Sequence, residues 1–193
     1  MKQNVANQKL NDTDLFILAE STCIWWNNVI TQSNRFFNAY TNNKGGTPWQ
    51  ENETQSIFCA ERLFLIITIH NAIEYLRKFN IELQRHNDNS MQEILDIIDQ
   101  TIPNDSITKL RNMNIHHLDY LVGKGHDQNN FRTKYESNNK EHLTTAAWTV
   151  NDNNHIYIGN VNITLLIDIL KQQVSSVRAK SLEVYNNLLY SSN

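Results

Sequence analysis

The feature that most constrains this chain is its shortage of helix-breaking residues. Its 193 residues include five glycines and two prolines, and none of these occurs before Gly45. Glycine and proline punctuate turns and strand ends, so their scarcity favours long helices over a turn-rich sandwich or barrel. The length fits one hydrophobic core, and we therefore expect a single domain over residues 1–193.

Apolar residues recur at helical spacing in five segments, of which the first two are long. The predicted helices cover about 13–41, 52–79, 91–102, 106–122 and 161–189. Gly45, Gly46 and Pro48 separate the first two, and Pro103 and Gly123 end the third and fourth. Residues 80–89 are polar and are predicted to be a connection.

Side chains that cap helices occur at the predicted starts. Asp12 or Thr13 is expected to cap the first helix, and Asn160 or Asn162 the last. Ser90, followed three residues later by Glu93, fits a capping box that opens the third helix.

The hydrophobic period changes between residues 123 and 160. Residues 123–145 are polar and are expected to be irregular. Trp148 and Val150 then alternate with polar residues, as do Ile156 and Ile158, which predicts a β-hairpin. The fold class expected is all-α: a bundle of about five helices with two long N-terminal helices and a small β-hairpin before the last helix. Residues 123–160 form a loop and hairpin insert.

Charge and hydropathy exclude several classes of protein. The net charge of −3 and the pI near 6.1 exclude a globally basic nucleic-acid binder. The polar start has no apolar signal segment, and the longest apolar run, residues 63–69, is too short to span a bilayer. Cys23 and Cys59 are too few for a disulfide scaffold. We expect a soluble cytoplasmic protein with no membrane partner.

The segment most suggestive of chemistry is residues 110–121, which read LRNMNIHHLDYL. On a helix, Arg111 falls within the apolar sector, where a guanidinium is costly unless it is paired or borders a cleft. His116 follows Asn112 at the i+4 position and lies about 140° from Arg111. Asp119, one turn beyond His116, can hydrogen-bond an imidazole nitrogen.

Arg111-Asn112 followed by His116 resembles the R-x4–6-H motif of HEPN-domain proteins, in its common RN-xxx-H form. HEPN domains are α-helical bundles with two long early helices, the motif on a late helix and a final long helix. The resemblance covers most of the chain and leaves 123–160 as an addition. Arg111 and His117 also fit the family spacing, so His117 is the alternative to His116.

The resemblance implies a metal-independent endoribonuclease that works as a homodimer, with the motif helices of two subunits forming one composite cleft. Arg111 and His116 would be catalytic, with Asn112, Asp119 and His117 supporting them. RNA is the implied substrate, and no cofactor or metal is implied. Such proteins often serve as toxins or phage-defence effectors, sometimes neutralised by a partner nucleotidyltransferase acting as antitoxin.

The predicted insert contains the one local run of basic residues interleaved with aromatics. Lys124, Arg132, Lys134 and Tyr135 suit single-stranded RNA through phosphate contact and base stacking. Acidic residues in the same run fit a solvated loop equally well. His126, His142 and His155 lack the spacing of a metal-binding motif, so no metal site is predicted.

Other interpretations of the same residues stay open. Arg111 and His116 also suit a polar network between helices of an inert bundle. His70 with Glu74 suits a satisfied core histidine, and Glu61 with Arg62 suits a local ion-pair site. The alternative functions are a non-catalytic HEPN module for dimerisation or nucleotide binding, and a helical interaction protein unrelated to HEPN domains.

Overall fold

A computed structural model describes most of the predicted bundle. The residues it describes are 10–43, 53–102, 106–116, 124, 132–134, 141–143, 148–150 and 154–190. Within them lie five helices, α1 (Asp12–Asn42), α2 (Glu53–Arg85), α3 (Gln92–Thr101), α4 (Ser106–Ile115) and α5 (Ile163–Tyr190). The predicted all-α bundle with two long N-terminal helices is confirmed.

Helix α1 lies between α2 and α5 and runs antiparallel to both. The indole of Trp26 donates to the carbonyl oxygen of Ala72 at 2.9 Å, while Gln32 bonds to Glu61, so the two chains run in opposite directions. On the other side, the ring of Phe16 stacks on that of Tyr185 at 4.3 Å. Trp26, Phe36, Phe58 and Phe79 are the largest side chains in the continuous core between these helices.

Helix α2 extends further than predicted. The expected polar connection at 80–89 is wrong, because the helix continues to Arg85. The inward polar side chains have partners: Asn80 donates to Gln92, and Glu82 accepts from the backbone N–H of Leu10 and pairs with Arg85. The helix stops where Asn87 adopts a left-handed conformation with φ 62°, a common helix C-terminus.

The predicted caps are corrected in two helices and confirmed in one. Asn11, rather than Asp12 or Thr13, caps α1 by accepting from the N–H of Asp14. The capping box at Ser90 is absent: Met91 is the N-cap of α3, and the Ser90 N–H donates to Asp88 instead. Asn162 caps α5 by accepting the N–H of Leu165 at 3.0 Å.

Short strands precede the last helix. Trp148–Val150 (β3) pairs antiparallel with Ile156–Ile158 (β4), which confirms the predicted hairpin and its register. Val161–Asn162 (β5) adds a third strand through a tight turn in which Gly159 has φ 57°. A second hairpin, Arg132–Lys134 (β1) with Glu141–Leu143 (β2), lies within the segment expected to be irregular, so that expectation is wrong there. Strand pairing needs no hydrophobic alternation when backbone bonds alone define the register, and polar sequence therefore hid this hairpin.

Among the described residues, α2 is the one helix long and apolar enough to cross a membrane by length and composition. The expectation that its apolar run is too short therefore does not hold for the helix as a whole. The core helix of a soluble protein passes the same test, and Leu65, Ile66 and Ile69 of α2 are fully buried in the bundle.

An ion pair joins the α2–α3 connection to α5 and predicts a pH-dependent stability. The Asp88 carboxylate lies 2.6 Å from the ammonium group of Lys180 and also accepts from Ser90. Burial opposes its ionisation, but the bonds from Lys180 and Ser90 outweigh burial and lower the pKa of Asp88 to about 2. A carboxylate with a lowered pKa stabilises the fold above its unfolded pKa of about 4, and that contribution is lost as pH falls toward 2.

We expect Asp88→Asn to lower the free energy of unfolding by about 1 kcal/mol at neutral pH. The loss should shrink between pH 4 and pH 2, where the wild-type carboxylate itself becomes protonated. Urea denaturation at a series of pH values measures this. Asp168→Asn, at an exposed position on α5, is the matched control and should change stability by less than about 0.5 kcal/mol. A loss of stability for Asp88→Asn that is the same at pH 2 and pH 7 would contradict the prediction.

Candidate functional site

Helix α4 carries the motif and is held against α2. Its inward side chains, Ile107, Leu110 and Met113, are buried, and these positions recur every three residues along one face. The side chain of Asn160, in the β4–β5 turn, lies 3.4 Å from the hydroxyl of Ser106 at the start of α4. The motif helix is therefore placed by apolar packing on α2 and by a polar contact with the strand insert.

Arg111 is half-buried on α4, as expected for a residue at the edge of the apolar face. Its Nη1 donates to the side-chain oxygen of Asn112 at 2.9 Å. Its Nε is buried and has no hydrogen-bond partner among the described residues. A buried donor without an acceptor costs about 1–3 kcal/mol. The guanidinium thus has an unmet donor that a ligand oxygen can satisfy.

His116 is the first residue after α4 and its side chain is exposed. Its backbone N–H donates to the carbonyl oxygen of Asn112 at 2.8 Å, which keeps the last turn closed. The helix therefore ends before the predicted stop at Gly123. The side-chain amide of Asn114 donates to the carbonyl oxygen of Leu110 at 2.7 Å, and amide side chains that bond to the backbone in this way weaken helix continuation.

The guanidinium and the imidazole lie on one short helix but in different environments. Five residues separate Arg111 from His116, which is about 7.5 Å along a helix axis. The arginine is half-buried and the histidine faces solvent. The two groups therefore do not form one compact site within a single turn of a single chain, and a substrate or a second chain is needed to bring them to the same reacting atoms.

The other predicted site residues fall mostly outside the described residues. His117, Asp119 and Tyr135 lie outside them. Lys124 is exposed. Arg132 and Lys134 lie on β1, where their Cα partners on β2 are Leu143 and Glu141. The structure thus places two of the predicted RNA-binding residues on one short hairpin strand.

The histidine and glutamate pairs on α2 have partners other than those predicted. The Nδ1 of His70 lies 3.2 Å from the side-chain oxygen of Asn71, and Glu74 accepts from Arg77 at 3.0 Å. Glu61 is buried and pairs across the helix interface with Arg35 at 2.7 Å. Gln32 donates to the same carboxylate.

Sequence reasoning missed this polar cluster of Gln32, Arg35 and Glu61, which ties α1 to α2. It borders a groove of about 240 Å³ that Asn38, Asn42 and Ile57 also line. Gln32 occupies a helical position between the buried Val29 and Phe36, and a polar residue in such a position is the signal that could have revealed the cluster. Each donor and acceptor named here has a partner, so the cluster acts as a link between helices.

Among the described residues, no group of three or more histidine, cysteine, aspartate or glutamate side chains could hold a metal ion. His155, in the insert, has its Nδ1 3.1 Å from the amide nitrogen of Asn162. Comparisons of the chain with protein-family models, with curated proteins and with solved structures find no match. The candidate site is therefore interpreted from its own residues.

Proposed function

We propose that this chain is a HEPN-type endoribonuclease that cleaves RNA without a metal ion and acts as a homodimer in the cytoplasm. The observation that carries the proposal is the half-buried Arg111, whose Nε donor has no partner among the described residues and whose Nη1 is held by Asn112. The exposed His116 at the end of the same helix supplies the second functional group. The all-α bundle around them agrees with the family resemblance of the motif.

The chemistry needs a base and a cation at one phosphodiester. The ribose 2′-hydroxyl is the nucleophile, and the imidazole of His116 takes its proton as the oxygen attacks the adjacent phosphorus. The attack adds negative charge to the phosphate oxygens, and the guanidinium of Arg111 stabilises that charge with forked donors. The bond from phosphorus to the 5′-oxygen breaks, which leaves a 2′,3′-cyclic phosphate and a 5′-hydroxyl.

A dimer accounts for the different environments of the two groups. With Arg111 half-buried and His116 exposed on one helix, a second copy of α4 supplies the imidazole or the guanidinium that faces the same phosphate. Arg132 and Lys134 on the insert would contact flanking phosphates. A role as a toxin or phage-defence effector, with a nucleotidyltransferase as antitoxin, follows from the resemblance and belongs to the same proposal.

The experiment is incubation of the purified protein with total RNA in excess chelator, followed by identification of the new ends. We expect cleavage that is undiminished by the chelator, with 2′,3′-cyclic phosphate at one end and 5′-hydroxyl at the other. His116→Ala protein purified in parallel controls for contaminating ribonuclease. Products with 3′-hydroxyl and 5′-phosphate ends, or RNA that stays intact, would contradict the proposal and favour the non-catalytic alternatives.

A further inference from the structure

The outward face of α2 carries an apolar stripe that no described element covers. Its members, which we call the outer stripe, are Glu53, Ile57, Ala60, Phe64, Ile67 and Lys78. Ile57 is 46% exposed and Phe64 51% exposed, while Ala60 is exposed and Ile67 half-buried. The opposite face of the same helix is buried against the bundle core, so α2 is apolar on both sides.

The spacing within the outer stripe is that of a helix that pairs with another helix. The steps from Glu53 to Ile67 are four, three, four and three residues. This alternation keeps side chains on one line along an α-helix and is the pattern of a coiled-coil seam. Isolated exposed apolar residues are common on protein surfaces, but a line of this length along one helix indicates a partner helix.

The charges at the two ends of the outer stripe determine which partner fits. Glu53 lies eleven residues before Phe64, and Lys78 lies eleven residues after Ile67. A second α2 packed antiparallel, with a two-fold axis between Phe64 and Ile67, therefore places each glutamate opposite Lys78 of the partner subunit. A parallel pair would place like charges together, which is unfavourable. The stripe is complementary to an inverted copy of itself.

We propose that the outer stripe of α2 is the surface through which two copies of this chain dimerise, with their α2 helices antiparallel about a two-fold axis. Phe64 and Ile67 pack at the centre, and two Glu53–Lys78 ion pairs close the ends. A two-fold interface of this kind uses the same patch on both subunits. The inference rests on the proposed function in so far as it supplies the homodimer surface that the function requires.

Neighbouring side chains widen the surface. The outer stripe spans about 37 Å of helix, which alone offers less than the roughly 800 Å² per partner of a standard interface. Half-buried Trp25 of α1 packs beside Tyr75, and the Lys78 ammonium lies 6.0 Å from the centre of the Tyr75 ring. These aromatic rings extend the surface from the Lys78 end of the stripe toward α1. Helix α4 also packs on α2, so both motif helices would lie beside the interface.

Sedimentation equilibrium of the full chain over a concentration series tests the surface directly. We expect the wild type to be a dimer and Phe64→Glu to raise the dissociation constant at least about thirtyfold, as for a central apolar anchor. Leu182→Glu, at a similarly exposed leucine on α5, is the matched control and should leave the dimer intact. Circular dichroism verifies that each variant is folded.

Charge reversal tests the antiparallel arrangement without altering the apolar centre. Glu53→Lys and Lys78→Glu should each weaken the dimer by about tenfold, because each creates two like-charge contacts. The double variant should restore the wild-type dissociation constant, since it rebuilds both pairs with reversed signs. A double variant no better than the single variants would overturn the arrangement.

The remaining outcomes also decide the inference. A wild type that stays monomeric throughout the series, or one that floats with phosphatidylcholine vesicles as a monomer, overturns it; the second result would assign the stripe to a lipid surface. RNA cleavage measured on the same samples separates the two proposals. A dimer that dissociates as expected but cleaves no RNA contradicts the proposed function alone, whereas cleavage by a protein whose dimer is unaffected by Phe64→Glu contradicts the surface alone.

Discussion

Replacing His116 with alanine should lower the rate of RNA cleavage by about 10²–10⁴-fold, and replacing Arg111 with alanine by about 10²–10³-fold. The first range is typical for loss of a general base or acid, and the second for loss of one group that stabilises charge in the transition state. Arg111→Lys should recover only part of the lost rate, because lysine keeps the charge but lacks the planar fork. Initial rates on a defined single-stranded RNA measure all three variants.

Stability measurements distinguish a catalytic role from a structural one. The exposed His116 contributes little packing, and removal of Arg111 also removes its unmet buried Nε donor. We therefore expect both alanine variants to unfold within about 1 kcal/mol of the wild type. His86→Ala and Arg178→Ala, at exposed positions on other elements, are the matched controls and should cleave at the wild-type rate.

Growth of expressing cells gives a second readout of the same variants. Wild-type expression should arrest growth, and His116→Ala should relieve the arrest. Full cleavage by both alanine variants would remove Arg111 and His116 from the site. A large loss of stability in place of a loss of rate would assign them to a structural network instead.

Trp26→Ala should lower the free energy of unfolding by about 3–5 kcal/mol, the range for truncating a large buried aromatic side chain. Trp26 is fully buried between α1 and α2, and its indole N–H donates to the carbonyl oxygen of Ala72. For a domain of this size, the loss corresponds to a fall in melting temperature of roughly 6–20 °C. Chemical denaturation monitored by circular dichroism measures the loss.

Two variants show which part of the Trp26 contribution is packing. Trp26→Phe removes the indole N–H with a smaller loss of volume and should cost less than Trp26→Ala, by at least about 1 kcal/mol. Trp25→Ala is the neighbouring control: its side chain is half-buried, so we expect a loss of about 1 kcal/mol. Equal losses for Trp25→Ala and Trp26→Ala would contradict the assignment of Trp26 to the core.

Much of the bundle follows from the sequence because long helices depend on local spacing. The run without glycine or proline before Gly45 and the recurring apolar residues specify α1 to within a residue or two at each end. The β3–β4 register follows equally from the alternation of Ile156 and Ile158. The end of α2 could not be predicted, because Asn80 and Glu82 are polar residues whose partners, Gln92 and Leu10, come from other elements. Burial of a polar side chain depends on such distant partners.

The motif residues could be selected from the sequence, whereas their environment could not. The helical angle predicts that Arg111 and His116 diverge, and the half-buried arginine and exposed histidine agree with that expectation. The unmet Nε donor and the early end of α4 depend on the neighbours that α2 and Asn114 provide. The Arg35–Glu61 pair was missed for the same reason, since its two members are 26 positions apart in the chain.

The location of His116 just past the last turn of α4 links its reach to the winding of that turn. A helix advances about 1.5 Å per residue and an extended chain about 3.3 Å, so uncoiling the stretch from Asn112 to His116 would carry the imidazole roughly 7 Å farther from Arg111. The single bond from the His116 amide to Asn112, 2.8 Å long, holds that stretch coiled. Hydrogen–deuterium exchange at this one amide would therefore report how often the two groups are held at working separation.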